Sequence, residues 1–245
     1  MALAVVAAAT LAGCEGGNDD RSVVRVFAAA SLTEAFTDLA SSFETAHPDT
    51  SVRLTFGASS ALAAQVTDGA PADVFATADE VSMEAVVDAG NALDPEVFAR
   101  NRLTILVERG NPREIRGLAD LGRDGLVVVL CAPEVPCGRL ARRLLEREHV
   151  TVRPASLEEN VKAVVSKVTL GEADAGIVYA TDARAAGAKA ESIAVAAAAD
   201  PDLEAVYPMA ITSNARDVEA ARAWVDHVGS PAARRLLASY GFLAP

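Results

Sequence analysis

Ser31 is the first residue of the chain placed to do chemistry. It follows a run of Val23, Val24, Val26 and Phe27 that reads as a buried strand, and three small residues, Ala28, Ala29 and Ala30, that let the backbone turn closely. Ser31 takes an N-cap position with Glu34 three residues on as its capping-box partner. Leu32, Phe36, Leu39 and Phe43 then give the helix one apolar face. A strand that ends at a helix N-terminus leaves backbone N–H groups and a hydroxyl facing a crevice, and that combination holds an oxyanion without a charged side chain. An ordinary N-cap is the plainer reading of this segment taken alone. The same arrangement recurs, however. Ser59, the turn Pro136-Cys137-Gly138 and Val161 all stand where a turn opens into a helix. Brought together at the C-terminal ends of parallel strands, four such N-termini would each supply N–H groups of partial positive charge. Charge-assisted hydrogen bonds of roughly 1.5–3 kcal/mol each would offset the desolvation of a small dianion.

The elements that must position these residues alternate along the chain. Strands are expected at residues 52–56, 72–76, 103–107, 126–130, 176–179 and 206–211. Between them lie helices carrying Leu62 and Val66, then Met83, Val86 and Val87, then a charged amphipathic stretch at 139–148. Asn160 caps a helix with Val161, Val164, Val165 and Val168 on one face, and two helices at 220–228 and 232–240 close the chain. The expected class is α/β with mostly parallel sheets.

Composition narrows the partners. A net charge of −12 speaks against nucleic acid and against anionic membrane surfaces, so a bound anion must be held by local donors. With 51% hydrophobic but only 4% aromatic residues, the core is one of Ala, Val and Leu. At the N-terminus, a short apolar run ends in Leu11-Ala12-Gly13-Cys14, which reads as a lipobox with Cys14 the lipidated residue, although no basic residue precedes it. Residues 1–21 are thus expected to be a lipoprotein signal and tether, leaving an extracytoplasmic domain held to the cell membrane by lipid alone. No other apolar segment approaches the ~18–20 residues that span a bilayer. Cys131 and Cys137 lack the further ligands that a metal site needs. Outside the membrane the pair reads as a disulfide, with two free thiols the alternative.

The segments FAAASLTEAF, FGASSALAAQV, GAPADVFATAD, PEVPCG and AGIVYATDA, in this order and spacing, resemble the periplasmic molybdate-binding proteins of ABC-type uptake systems. The resemblance runs from about Val23 to Pro245. It implies a type II periplasmic-binding fold: two lobes, each a mixed sheet flanked by helices, with two crossing strands as a hinge and the ligand between. The lobes would be 22–102 plus 211–245, and 103–210, with crossings near Arg102–Leu103 and near residues 207–211. It further implies capture of molybdate or tungstate by neutral donors, delivery to an ABC permease, no cofactor, no enzymatic activity and a monomeric state. Carried over position by position, the ligand-binding residues are Ser31 and Ser59 through hydroxyl and N–H, Cys137 and Val161 through N–H, and Tyr179 through its phenol. Cys137 departs from the alanine that the family's proline-alanine-glycine turn carries, a change that a backbone donor tolerates.

Two rival classes remain at this stage. One is a binder of the same fold for sulfate, phosphate or a ferric complex. Phosphate carries a proton and calls for a carboxylate acceptor, and ferric sites call for a tyrosine pair or carboxylates; neither set occurs in these segments. The other is an enzyme of the same fold, such as a porphobilinogen deaminase, with Cys137 as its covalent anchor. His47, His149 and His227 read as solvated, and no Ser-His-Asp order, HExxH or glycine-rich phosphate loop is present.

Overall fold

The computed structural model describes residues 21–245, so the expected lipobox at Cys14 and nearly all of the tether lie outside the described residues. The chain opens with β1 (Ser22–Ala29), which pairs in parallel with β2 (Thr50–Gly57) from Ser22 opposite Thr50 to Ala29 opposite Gly57. That register sets the two strand ends level, so the turns bearing Ser31 and Ser59 open side by side. On its other flank β1 meets β3 (Val74–Ala76) in parallel. The sheet is completed by β10 (Ala205–Ile211), antiparallel to β3 and to the edge strand β4 (Glu96–Asn101), giving the order β2-β1-β3-β10-β4.

A second five-stranded sheet follows the same plan. Here β6 (Val128–Cys131) is parallel to β7 (Ser156–Glu158) and to β8 (Ala175–Tyr179). The crossing strand β5 (Leu103–Glu108) runs antiparallel to β8 and to β9 (Ala190–Ala194), in the order β7-β6-β8-β5-β9. The chain passes from the first sheet to the second at Arg102 and returns through residues 195–204. These two links are tied to each other, Arg102 pairing with Glu204 at 2.9 Å. Since β10 lies in the first sheet from Ala205 onward, the return is complete a few residues ahead of its expected place near residues 207–211. The strand periodicity of that stretch marks a sheet member, and the link itself is built of short turns that carry no such signal.

Helices cover both sheets. In the first half α1 (Thr33–Ala46) packs Phe36 and Phe43 edge-on against Trp224 of α7 (Val218–Gly229), with ring centroids 5.7 and 5.5 Å apart. Such pairs add about 0.5–1.5 kcal/mol each beyond the area they bury. His227 joins this cluster, stacking beside Trp224 and bonding Ser42, so it is half-buried rather than solvated. Two more helices, α2 (Ser59–Thr67) and α3 (Glu80–Asp88), flank β3. In the second half α4 (Pro136–Arg147), α5 (Val161–Thr169) and α6 (Ala180–Ala186) surround β6 and β8, and α8 (Pro231–Tyr240) ends the chain against α1. Among the described residues no helix is long and apolar enough to cross a membrane.

Candidate functional site

The strand ends of the two sheets face a small cleft with a cavity volume of about 20 Å³. Its wall includes Ser31, Gly57 and Ser59 from the first half and Pro136, Cys137, Asn160, Val161 and Tyr179 from the second, with no charged side chain among the lining residues. All five residues expected from the sequence therefore meet here. Each is buried, with 1–3% of its surface exposed.

How each arrives differs from the simple capping scheme. Ser31 is not the N-cap of α1. It sits in a single tight turn, Ala30–Leu32, that precedes the helix, and Thr33 bonds back to the Ala30 carbonyl at 2.7 Å. The Ser31 hydroxyl meets Tyr207 instead of capping the helix, its Oγ lying 2.9 Å from the phenolic oxygen. Glu34, expected to close a capping box, instead reaches across to Lys162. Ser59 begins α2 and accepts the backbone N–H of Ala78 at 3.0 Å, so its own hydrogen remains available to the cavity.

In the second half the donors belong to the main chain. Cys137 and Val161 lie in the first turns of α4 and α5, where backbone N–H groups have no partner within the helix. Asn160 caps α5 by accepting the Ala163 N–H at 3.1 Å, which holds the Val161 N–H pointing out of the helix end. The start of α4 is drawn tightly onto the end of β6. A Cβ at Gly138 would fall 1.9 Å from the Ala132 carbonyl oxygen, so only glycine allows this approach. Cys131 and Cys137 are bridged across the same junction with their Cα atoms 5.8 Å apart. The Cys137 sulfur is thereby committed to a structural bond and is not a free nucleophile.

Tyr179 closes the wall at the end of β8. Its hydroxyl is buried without a hydrogen-bond partner in the protein. Burial also pushes the phenol far above its ordinary range, so it stays a protonated donor. An unpartnered buried hydroxyl costs roughly 1–3 kcal/mol, which a ligand oxygen would recover.

Charges sit around the cavity rather than in it. Lys162 of α5 holds Glu34 of α1 at 2.7 Å and the fully buried Asp182 of α6 at 2.9 Å. Burial raises Asp182 to about 6 despite the neighbouring ammonium. On the other flank Arg139 of α4 binds Asp79, at 2.8 Å through Nε, and Ser82 of α3 at 3.0 Å. Both clusters bridge the two halves just outside the cavity. Sequence reading did not single out Arg139, Lys162, Asp182 or Tyr207. Each neighbours a motif or lies in a strand, and nothing in its local pattern distinguishes it from a surface charge or a core ring. No group of three or more His, Cys, Asp or Glu side chains placed to hold a metal ion occurs among the described residues.

Comparison with known proteins agrees with this architecture. The family profile described as bacterial extracellular solute-binding protein matches residues 24–243. The molybdate-binding protein ModA of Mycobacterium tuberculosis is 42% identical over 226 residues, spanning 92% of this chain and 85% of the relative. Among solved structures, the sulfate-binding protein SubI of the same organism superposes with a TM-score of 0.77 at 21% identity, covering 91% of this chain and 86% of that one. The periplasmic molybdate-binding protein of Azotobacter vinelandii gives 0.73 at 21% identity, covering 91% and 99%. At such identities the structural likenesses speak for the fold alone, a two-lobed α/β fold of the periplasmic-binding type. The match over nearly all of the described chain is to proteins that bind solutes rather than transform them, and the chain belongs to the bacterial extracellular solute-binding proteins.

Proposed function

We propose that this protein captures molybdate, and tungstate with it, outside the cytoplasm and hands the anion to an ABC permease. The observation that carries this reading is the cavity wall: hydroxyls of Ser31, Ser59 and Tyr179 together with first-turn N–H groups at Cys137 and Val161, and no carboxylate or cation among them. A wall made only of donors suits a fully deprotonated oxyanion. It has no carboxylate to accept a proton, which disfavours hydrogen phosphate. The 42% identity to a molybdate-binding protein over most of the chain narrows the anion further. Sulfate has the same shape and charge, so discrimination must come from size: a rigid cage fitted to the larger metal oxyanion holds the smaller one with stretched bonds.

In this reading the two halves are lobes, the first sheet with its helices and the second with its own. The links at Arg102 and residues 195–204 serve as the hinge, and the Lys162 and Arg139 clusters fasten the closed form. The protein works as a monomer, tethered by an acyl chain on Cys14. Calorimetric titration of the purified protein with molybdate, tungstate and sulfate tests the proposal. Tight binding of the first two and much weaker binding of sulfate is expected. Sulfate binding as tightly as molybdate would overturn the choice of ligand.

A further inference from the structure

Ser31 holds a ligand oxygen only when its hydroxyl hydrogen faces the cavity, yet an isolated serine hydroxyl offers hydrogen or lone pair with equal ease. A buried relay removes that freedom. It begins at Asn101, at the end of β4 and fully buried. The Asn101 Oδ1 accepts the backbone N–H of Arg102 at 2.9 Å, which assigns the other arm of the amide as NH2. That NH2 group donates to Thr181 Oγ1 at 2.8 Å and to Tyr207 Oη at 3.4 Å. Tyr207 Oη lies 2.9 Å from Ser31 Oγ, a contact in which either hydroxyl could donate, and the Asn101 amide, itself only a donor here, favours the arrangement in which Tyr207 donates to Ser31. Ser31, receiving in turn, keeps its hydrogen for the cavity. Burial holds the Tyr207 phenol protonated, so the relay does not lose its proton in ordinary buffers. Ser59 has the same logic in shorter form, its oxygen being occupied by the Ala78 N–H.

We infer that Tyr207 is a positioning residue for the anion site, oriented by Asn101, and that it fixes Ser31 as a donor to the ligand. The inference rests on the oxyanion reading above and adds to it a residue that does not line the cavity. The relay also crosses the molecule: Thr181 belongs to the second half, whereas Asn101, Tyr207 and Ser31 belong to the first.

The test is a double-mutant cycle read by molybdate titration. Tyr207→Phe keeps a ring that packs against Phe98, Tyr179 and Phe242, so the fold has its contacts. It should weaken binding about 10-fold, the scale of one hydrogen bond. Because Tyr207 acts through Ser31, the double variant with Ser31→Ala should bind like Ser31→Ala alone, within about two-fold. Asn101→Asp provides a second arm: a carboxylate cannot donate, so Tyr207 turns its hydrogen back and Ser31 presents a lone pair to the anion. Its loss should shrink when Ser31 is already alanine, leaving only the effect of the added charge. Tyr207→Phe binding as the wild type does, or a double variant losing the product of the two single losses, would overturn the inference. So would an Asn101→Asp loss that is undiminished in the Ser31→Ala background. Failure of the unaltered protein to bind molybdate, tungstate or sulfate would instead sink the oxyanion reading itself.

Discussion

Each sheet runs in the same order, from an edge strand through two parallel strands to an incoming antiparallel strand and a second edge, yet the halves face the cavity with different chemistry. The first half brings side-chain hydroxyls, Ser59 with its oxygen occupied by the Ala78 N–H and Ser31 in contact with the Tyr207 hydroxyl behind it. The second brings main-chain N–H groups at two helix starts, with Tyr179 as its only hydroxyl at the wall. A hydroxyl rotates and needs a partner to aim it, whereas a first-turn N–H is aimed by the helix itself. The first half therefore invests in residues that orient side chains. The second invests in backbone approach, which leaves its side chains free to be a cysteine and a valine.

The contrast breaks most severely at Gly138. Gly138→Ala places a methyl group against the Ala132 carbonyl and must push the start of α4 off β6. We expect a destabilisation of about 3 kcal/mol or more in urea unfolding, together with loss of molybdate binding. No single alanine at the hydroxyl positions should cost as much stability.

Next come the hydroxyls. Ser31→Ala and Ser59→Ala should each weaken molybdate binding by roughly 1–3 kcal/mol in calorimetry with little change in folding. Tyr179→Phe should lose affinity on the same scale but leave the ligand-free protein equally or more stable, because it removes a buried hydroxyl that has no partner. Opposite signs for binding and stability at Tyr179, set against binding loss alone at Ser31 and Ser59, would sharpen the distinction between an unpartnered donor and an oriented one.

A gentler effect concerns the charges that join the halves. Asp182 has its folded value raised to about 6 by burial, above that of an unfolded aspartate. Between about pH 4 and pH 6 the folded state therefore binds more protons than the unfolded state. Stability contributed by this residue is greatest below that window and falls as pH rises through it, with a slope of at most about 1.4 kcal/mol per unit. Asp182→Asn should flatten that part of a stability–pH profile measured on ligand-free protein. The lowered carboxylates Asp200 and Asp217 act in the opposite sense and at lower pH. The smallest expected change is in affinity after replacing Cys131 and Cys137 together by alanine, since the donor at Cys137 is its N–H. A loss there exceeding that of Ser31→Ala would mean that the side chains of the second half matter as much as those of the first.

Much of this was legible in the chain because the cavity is built from local punctuation. Strand, small residues and helix start are readable at Ser31, Ser59, Cys137 and Val161, and the register of β1 on β2 then aligns the first two. The alternating pattern also disclosed the α/β class. What escaped was whatever depends on partners distant in sequence. Glu34 has the spacing of a capping box, but Lys162 outcompetes the backbone for it. The strand expected at 72–76 starts only at Val74: the main chain of Asp73 still bonds Arg25 and Thr212, but its buried carboxylate takes the Arg25 N–H, together with that of Arg216. The edge strands β4, β7 and β9 are short or polar and carry too little alternation to be seen. Tyr207 reads as one more core aromatic until Ser31 is beside it.

The interleaving of the two sheets also sets a timetable for folding. Apart from a bridge between Arg100 and Leu243, β4 pairs with β10 alone among the described strands, and β3 has β10 as its second neighbour. β10 starts roughly a hundred residues after β4 ends. At synthesis rates of about 5–20 residues per second, the first sheet waits on the order of 5–20 s for its last strand. The first sheet thus stays incomplete until most of the chain exists, a state that suits a member of an extracellular protein family.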